Sequence, residues 1–570
     1  MTYDYIIVGG GSAGSVLANR LSARSSNNVL VLEAGEDTPH GAVPPEILDS
    51  YPGTAYLNDR FIWADLKVRT EVVSHNAPPE DQLPRLRKYE QARVLGGGSS
   101  INGQFANRGA PWDFDEWDER GATGWNWDSV LPYFRKLEHD MDVHDEYHGR
   151  EGPIPIRRIY PDSWSEHTRA VSEAFGDAGF DYLEDQNGEF RDGYFPITIS
   201  NAYERRVSTA IGYLGPSIRQ RPNLTIQTQA VVQTLLMEGT RCVGVRASIK
   251  GKTEEFRAGE VILSCGAIHS PAHLLRAGIG PAMALQDLGL DVNINLPGVG
   301  QRLQDHPSIA LASFLKPHAR ASEHTRRHVL IGLRYSSKMG DAPLGDMFVA
   351  VADKTSWHPV GEQLGALLMW VNKTYSEAGQ VRLKSTDWRE HPEVEFNLLS
   401  DRRDLDRLVD GFRRMAKAAH THPAVQAATE LPFPACWGEK VRQVGAITRS
   451  NAIKTGIMAK LLDGPGTLRK YLIERFIMDG YTLEQLIADN DAAEDFVRTT
   501  TVGVWHASCT CRMGADDDPE AVTNNAGRVR GAEGLRVCDA SIFPQVPCAN
   551  TNLPTIMSAE KISDMILAGH

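Results

Sequence analysis

The first residues able to do chemistry stand at the start of the chain. Gly9, Gly11 and Gly14 form a G-x-G-x-x-G spacing within Gly9-Gly10-Gly11-Ser12-Ala13-Gly14. One glycine makes a tight turn, one admits a pyrophosphate against the backbone, and one lets a helix pack closely on a strand. Phosphates then meet a helix N-terminus, where free N–H groups and the helix dipole favour anions. Glu33 follows where a carboxylate would accept hydrogen bonds from an adenosine ribose. The motif points to a dinucleotide but does not by itself separate FAD from NAD. No second copy with strand and acid follows, which argues against two separate nucleotides.

Cys509 and Cys511, in a C-T-C string, are the other chemical candidates. Zinc needs further ligands at matching spacing, none are present, and no metal is expected. The seven cysteines (Cys242, Cys265, Cys436, Cys509, Cys511, Cys538, Cys548) are too sparse and too odd in number for a disulfide framework. They read as idle thiols in a reducing compartment.

The elements that must position these residues are legible in part. Tyr5-Ile6-Ile7-Val8 and Val29-Leu30-Val31-Leu32 are continuous apolar runs, as expected of parallel strands buried on both faces. Between them Val16, Leu17, Ala18 and Leu21 give a helical apolar face. Further strands are expected at 261–264 and 535–537, and a closing helix at 555–567. Residues 36–90 are rich in Pro, Asp and Asn and read as long loops. Two more glycine clusters stand at 95–100 and 297–300. From 305 to 500 strand-like runs (309–312, 348–351, 367–371, 381–383) precede a helix at 404–419, spaced by Leu405, Leu408, Phe412 and Met415. This reads as a sheet-plus-helix second domain. Residues 437–495 look helical, broken at Gly464-Pro465-Gly466.

A chain of 570 residues exceeds one ordinary domain and suggests two or three, or one large bipartite fold. A net charge of −13 without long like-charge blocks argues against nucleic acid. No apolar run of about 18 residues exists, so no membrane span is expected. Tyr5 to Val8 is too short for a signal peptide and follows Asp4, which leaves the cytoplasm as the expected location.

The longer motifs resemble one family. ARVLGGGSSIN at 92–102, GAIHSPAHLLRAGIG at 266–280, PGVGQRLQDHP at 297–307 and WHASCTCRMG at 505–514 stand in the chain, the last followed by Asp539-Ala540-Ser541 and Asn550-Thr551-Asn552. Together they resemble the GMC (glucose–methanol–choline) oxidoreductases from end to end. Within that family, Gly152-Pro153-Ile154-Pro155-Ile156 and Trp370-Val371-Asn372-Lys373 are most similar to bacterial aryl- and furfuryl-alcohol oxidases of the 5-(hydroxymethyl)furfural oxidase type, whereas the S-C-T-C-R-M-G string is similar to choline dehydrogenases.

The resemblance implies a Rossmann-like FAD-binding domain from segments 1–157, 201–304 and 498–570. It implies a discontinuous substrate domain of antiparallel sheet plus helices from 158–200 and 305–497, with the helical insertion at about 437–495. It implies FAD-dependent oxidation of a primary alcohol to the aldehyde, with O2 or another electron acceptor. A quinone- or protein-linked dehydrogenase, and a lyase with structural FAD, are the alternatives.

Residue by residue, the family motif makes His506 the base that takes the hydroxyl proton, a role suited to an imidazole. Asn550 would hold the substrate oxygen, and Asn552 the flavin ring. Ile101 stands where some members carry a histidine bonded to flavin, so FAD should be noncovalent. Asn102 would face the flavin through its backbone, and Val231 the adenine. Ser12, Ala13, Ala34, Arg93, Val94, Gly98, Ser99, Gly103, Trp505, Asp539 and Ala540 complete the implied FAD contacts. Phe105, Trp370, Val371, Val504 and Trp505 are the expected pocket wall, apolar and aromatic, suited to a flat neutral alcohol. No carboxylate lies between Asp305 and Glu323, which argues against a quaternary ammonium substrate. Trp357-His358-Pro359 also begins W-H but lacks the T-C-R-M-G continuation.

Overall fold

A computed structural model describes residues 2–70, 86–322, 325–435, 437–478 and 480–570. Glu323, Cys436 and part of the expected 36–90 loop stretch lie outside the described residues.

Two large sheets carry the molecule. In the first, the strands Leu224–Gln227, Val29–Leu32, Thr2–Val8 and the C-terminal half of Lys252–Leu263 run parallel, and Leu535–Val537 joins the far edge. The N-terminal half of Lys252–Leu263 pairs instead with Arg241–Ile249, which pairs antiparallel with Ala230–Glu238. The apolar runs are covered on both faces, and Ile6, Ile7, Val29 and Val31 are fully buried. The helix Ser12–Leu21 packs on the closing helix Asn552–Leu567, so the first and last helices share one core.

The second sheet is antiparallel, in the order Thr429–Ala435, Pro307–Leu315, Leu364–Val371, Met347–Ala352, Val329–Tyr335, Gly193–Pro196. The short strand Val502–Gly503 adds to the edge of Pro307–Leu315. Successive side chains point to opposite faces. On one face Leu311, Leu333, Val349 and Met369 meet Leu405, Leu408, Phe412 and Met415 of the helix Arg402–Thr421. Burying each such side chain contributes about 1.5–3 kcal/mol. The Asp401 carboxylate caps that helix by accepting from the Arg403 N–H. On the other face, Ala310, Ala312, Ala350, Ala352, Ala366 and Trp370 floor a cavity of about 940 Å³.

The 36–90 stretch is more ordered than a loop reading implies. It holds short helices Pro45–Leu48 and Gly53–Tyr56 and the paired strands Lys67–Arg69 and Leu86–Lys88. Elements of three or four residues are too short to show a period. Residues 437–495 supply four whole helices, Glu439–Gly445, Arg449–Leu462, Gly466–Phe476 and Leu483–Ala488. Among the described residues no helix is long and apolar enough to cross a membrane.

Candidate active site

Two glycine clusters build the cradle. Gly9 has φ +95°, and a Cβ there would lie 2.5 Å from the Ser264 carbonyl oxygen. A Cβ on Gly14 would lie 1.9 Å from the Gly9 carbonyl oxygen, so the helix Ser12–Leu21 can approach its strand only with glycine there. Gly97 abuts Gly11, where a Cβ would lie 2.6 Å from the Gly11 Cα. The Glu33 carboxylate accepts the Gly10 N–H at 2.9 Å and the Gly35 N–H at 2.7 Å. Glu33 thus also pins the glycine loop, a role sequence spacing did not suggest. Burial raises its pKa, opposed by those two N–H groups. Asp539 accepts from the Gly266 N–H, the Ser270 hydroxyl and the Ser541 N–H. The Arg93 guanidinium stacks over Trp63 at 4.6 Å.

The cavity runs from this cradle to a buried pair of imidazoles. Its upper-range volume suits a dinucleotide with a substrate beside it. The glycine surfaces, the helix N-terminus and a buried acid with unused lone pairs fit the adenosine diphosphate half of FAD.

At the far end Asp305 organises the bend. One of its oxygens accepts N–H groups from His306 at 2.7 Å, His506 at 3.0 Å and Val504 at 3.2 Å. A Cβ on Gly503 would lie 2.2 Å from its other oxygen, and Trp505 takes φ +62°. A left-handed tryptophan is a strained conformation that its surroundings must hold. Burial pushes the Asp305 carboxyl up to about 7.

The bend sets His506 between two partners. Its Nδ1 lies 2.8 Å from Nδ1 of His306, the rings edge-on at 5.0 Å. Its Nε2 lies 2.9 Å from the Asn550 amide nitrogen. The hydrogen-bond network assigns the protons: Asn550 donates to Nε2, so His506 carries its proton on Nδ1 and donates it to His306. Burial, with His306 beside it, holds the His506 pKa well below its usual value. Burial pushes His306 down to about 3. Both rings are neutral at pH 7. The facing nitrogens are closer than two ligands of one tetrahedral zinc, about 3.3 Å apart at bonds of about 2.0–2.1 Å.

The structure brings most of the expected residues to this one cavity: Gly9, Gly11, Ser12, Ala13, Glu33, Ala34, Arg93, Val94, Gly98, Asn102, Gly103, Val231, Asp539, Ala540 and Asn552 along the cradle, and Phe105, Trp370, Val504, Trp505, His506 and Asn550 toward the imidazoles. Three stand off it. Gly14 serves the helix–strand contact. Ser99 turns away to bond the Gly96 carbonyl and Thr209. Val371 corrects the expected pocket wall: one residue beyond Trp370, it points to the opposite sheet face and packs in the core.

Sequence reasoning missed His306 and Asp305, although both stood in the quoted D-H-P string. It also missed Glu90, a carboxylate on the cavity wall far from 305–323 in sequence. Glu90 accepts the Trp505 indole N–H at 3.0 Å and lies 3.5 Å from Arg442, so its charge is already matched.

The chain belongs to the GMC oxidoreductase family, whose models match residues 3–308 and 374–559. It is 44% identical to a 5-(hydroxymethyl)furfural oxidase of Methylovorus sp. (strain MP688), covering 99% of this chain and 98% of that one. It is 31% identical to an oxygen-dependent choline dehydrogenase of Vibrio vulnificus (strain YJ016), covering 99% and 94%. Among solved structures it resembles pyridoxine 4-oxidase from Mesorbium loti, with TM-score 0.80, 26% identity and full coverage of both chains. The protein is an FAD-dependent alcohol oxidoreductase.

Proposed function

We propose that the protein oxidises a primary aryl or furfuryl alcohol to its aldehyde, with O2 as acceptor and hydrogen peroxide as product. The supporting observation is the 2.9 Å contact between Asn550 and Nε2 of His506 at the cavity wall. An entering hydroxyl displaces Asn550 as the donor to Nε2, and its proton passes to that nitrogen. The Asn550 amide then donates to the alcohol oxygen as its negative charge develops. His306 holds the tautomer that leaves Nε2 free to accept. FAD held by the glycine cradle and Glu33 would supply the acceptor for the carbinol hydrogen and its electron pair.

The cavity wall supports a flat substrate. Trp370 lies stacked on Phe348 at 4.4 Å, and Trp505 meets Trp437 edge-on. Val504, two residues before His506, lines the cavity with a small apolar side chain, which favours O2 as acceptor. The furfural oxidase relative supports the same substrate class. Ile101 lines the cavity and offers no nucleophile, which favours noncovalent FAD. Six described cysteines are free, which favours the cytoplasm.

The test is oxygen uptake and peroxide release with benzyl and furfuryl alcohols. His506→Ala should lower turnover roughly 10²–10⁴-fold while the flavin absorbance remains. Full activity in that variant would remove His506 as the base. The choline dehydrogenase relatives support a second reading, a dehydrogenase with a different acceptor. Rapid dye reduction without oxygen uptake, with the same alcohol, would favour it.

A further inference from the structure

The chain's second W-H pair, Trp357-His358, belongs to a different part of the same cavity. It lies in the connection between the strand Met347–Ala352 and the helix Pro359–Glu362. Lys354, Thr355, Ser356 and His358 of this connection all line the cavity. Lys354 is only 7% exposed. Among the described residues its ammonium makes no hydrogen bond or ion pair, and it meets only the Tyr51 ring, 5.1 Å away.

Asp49, Asp353 and Glu362 act on it through space, but none of them bonds it. Asp49 is held by Arg326, and Asp353 accepts from His167 and Thr168. Glu362 is exposed to water. Burial, with Arg326 nearby, lowers the Lys354 pKa. The ammonium is therefore largely buried, open to the cavity and unbonded, and an anion entering there would gain a charge-assisted hydrogen bond.

His358 adds a donor. Its Nδ1 accepts the Gly361 N–H at 3.1 Å, which fixes its proton on Nε2. Burial pushes its pKa down to about 4, so at neutral pH it is an uncharged N–H donor.

Strand register puts these residues at the opposite end of the sheet from the base. Ser308 pairs with Trp370 at the end next to Val502, close to the 503–506 bend. Ala366 pairs with Ala312 and Ala352 at the other end, and Lys354 follows Ala352. From Trp370 to Ala366 is about 13 Å of strand. Between them the floor is apolar, with Ala310 and Ala350 flanking Leu368.

We propose that residues 354–358 form an anion subsite, and that the protein takes hydroxy acids: primary alcohols that carry a carboxylate at the far end of an extended apolar body. This rests on the alcohol-oxidation reading above. Lys354 pairs with the carboxylate, His358 donates a second hydrogen bond, and the apolar middle of the substrate lies on the floor of alanines and Leu368.

The test compares kcat/KM for 4′-(hydroxymethyl)biphenyl-4-carboxylate with that for its primary amide, which has the same shape without the charge. The unaltered enzyme should favour the acid by about tenfold or more, the worth of one charge-assisted hydrogen bond. Lys354→Met should abolish that preference, and Lys354→Arg should keep it. An acid-to-amide ratio near one in the unaltered enzyme, or a ratio unmoved by Lys354→Met, overturns the subsite while leaving alcohol oxidation standing. Failure of every alcohol, neutral or charged, to bleach the bound flavin overturns the underlying reading and the subsite with it.

Discussion

The Ser12 hydroxyl donates to the Asn552 side-chain oxygen at 2.8 Å, joining residues 540 apart in sequence. Ser12 opens the first helix and Asn552 opens the last. Two helix N-termini therefore converge on the cavity, and their positive ends favour electron-rich groups there.

Loss of that link should loosen the cofactor without unfolding the chain. Asn552→Ala removes a hydrogen bond worth about 0.5–1.5 kcal/mol, so its flavin should dissociate several-fold more readily. Flavin absorbance after dialysis, beside the unaltered protein, measures it. Equal retention would show that Asn552 does not contribute to holding the flavin.

His306 should govern the base through its tautomer. In His306→Ala the Nδ1–H of His506 loses its acceptor, an unmet buried donor that costs about 1–3 kcal/mol, a factor of roughly 5–150. The loss should fall on kcat with KM little changed. In the unaltered enzyme, burial lowers the His506 pKa and keeps the free base at neutral pH. The acid limb of kcat/KM should therefore lie below about 6.5, the ordinary histidine value. A limb above it would contradict this electrostatic account.

Gly14→Ala tests the cradle by packing alone. Its methyl would sit 1.9 Å from the Gly9 carbonyl oxygen, so helix and strand must separate. Overpacking costs about 1–3 kcal/mol or more. The variant should melt lower and purify with little flavin. A normal melting temperature with full flavin would show that the helix can shift freely.

A buried charge network gives the stability profile. His148 bonds Asp140 at 3.0 Å, Asp185 at 2.9 Å and Glu138 at 3.1 Å, beside Arg108 and Arg158. Burial opposes its charge, yet the bonds to Asp140, Asp185 and Glu138 raise its pKa to about 10. A raised folded pKa stabilises fully below the unfolded value of about 6.5, and that contribution is lost as pH rises through about 10. Thermal melts of the unaltered protein and His148→Asn should converge between those limits. A gap that stays constant with pH would refute the charged imidazolium.

The glycine spacing, the buried strand runs and the W-H-A-S-C-T-C-R-M-G string were readable in the sequence because each depends on neighbours close along the chain. A turn, a strand period or a helix N-terminus needs only a few consecutive residues to be specified. The motifs from 92 to 552 added the family, and with it the imidazole and the amide at 506 and 550. Tertiary structure decided the rest. It alone sent Trp370 to the cavity and Val371 to the core, since alternation is readable but the buried face is not. Only folding brought Glu90 to Trp505, His306 to His506, and left the Lys354 ammonium without a bonded partner. Those pairings, and that vacancy, depend on which distant segments meet, and charge and proton position at a buried group follow from its three-dimensional surroundings.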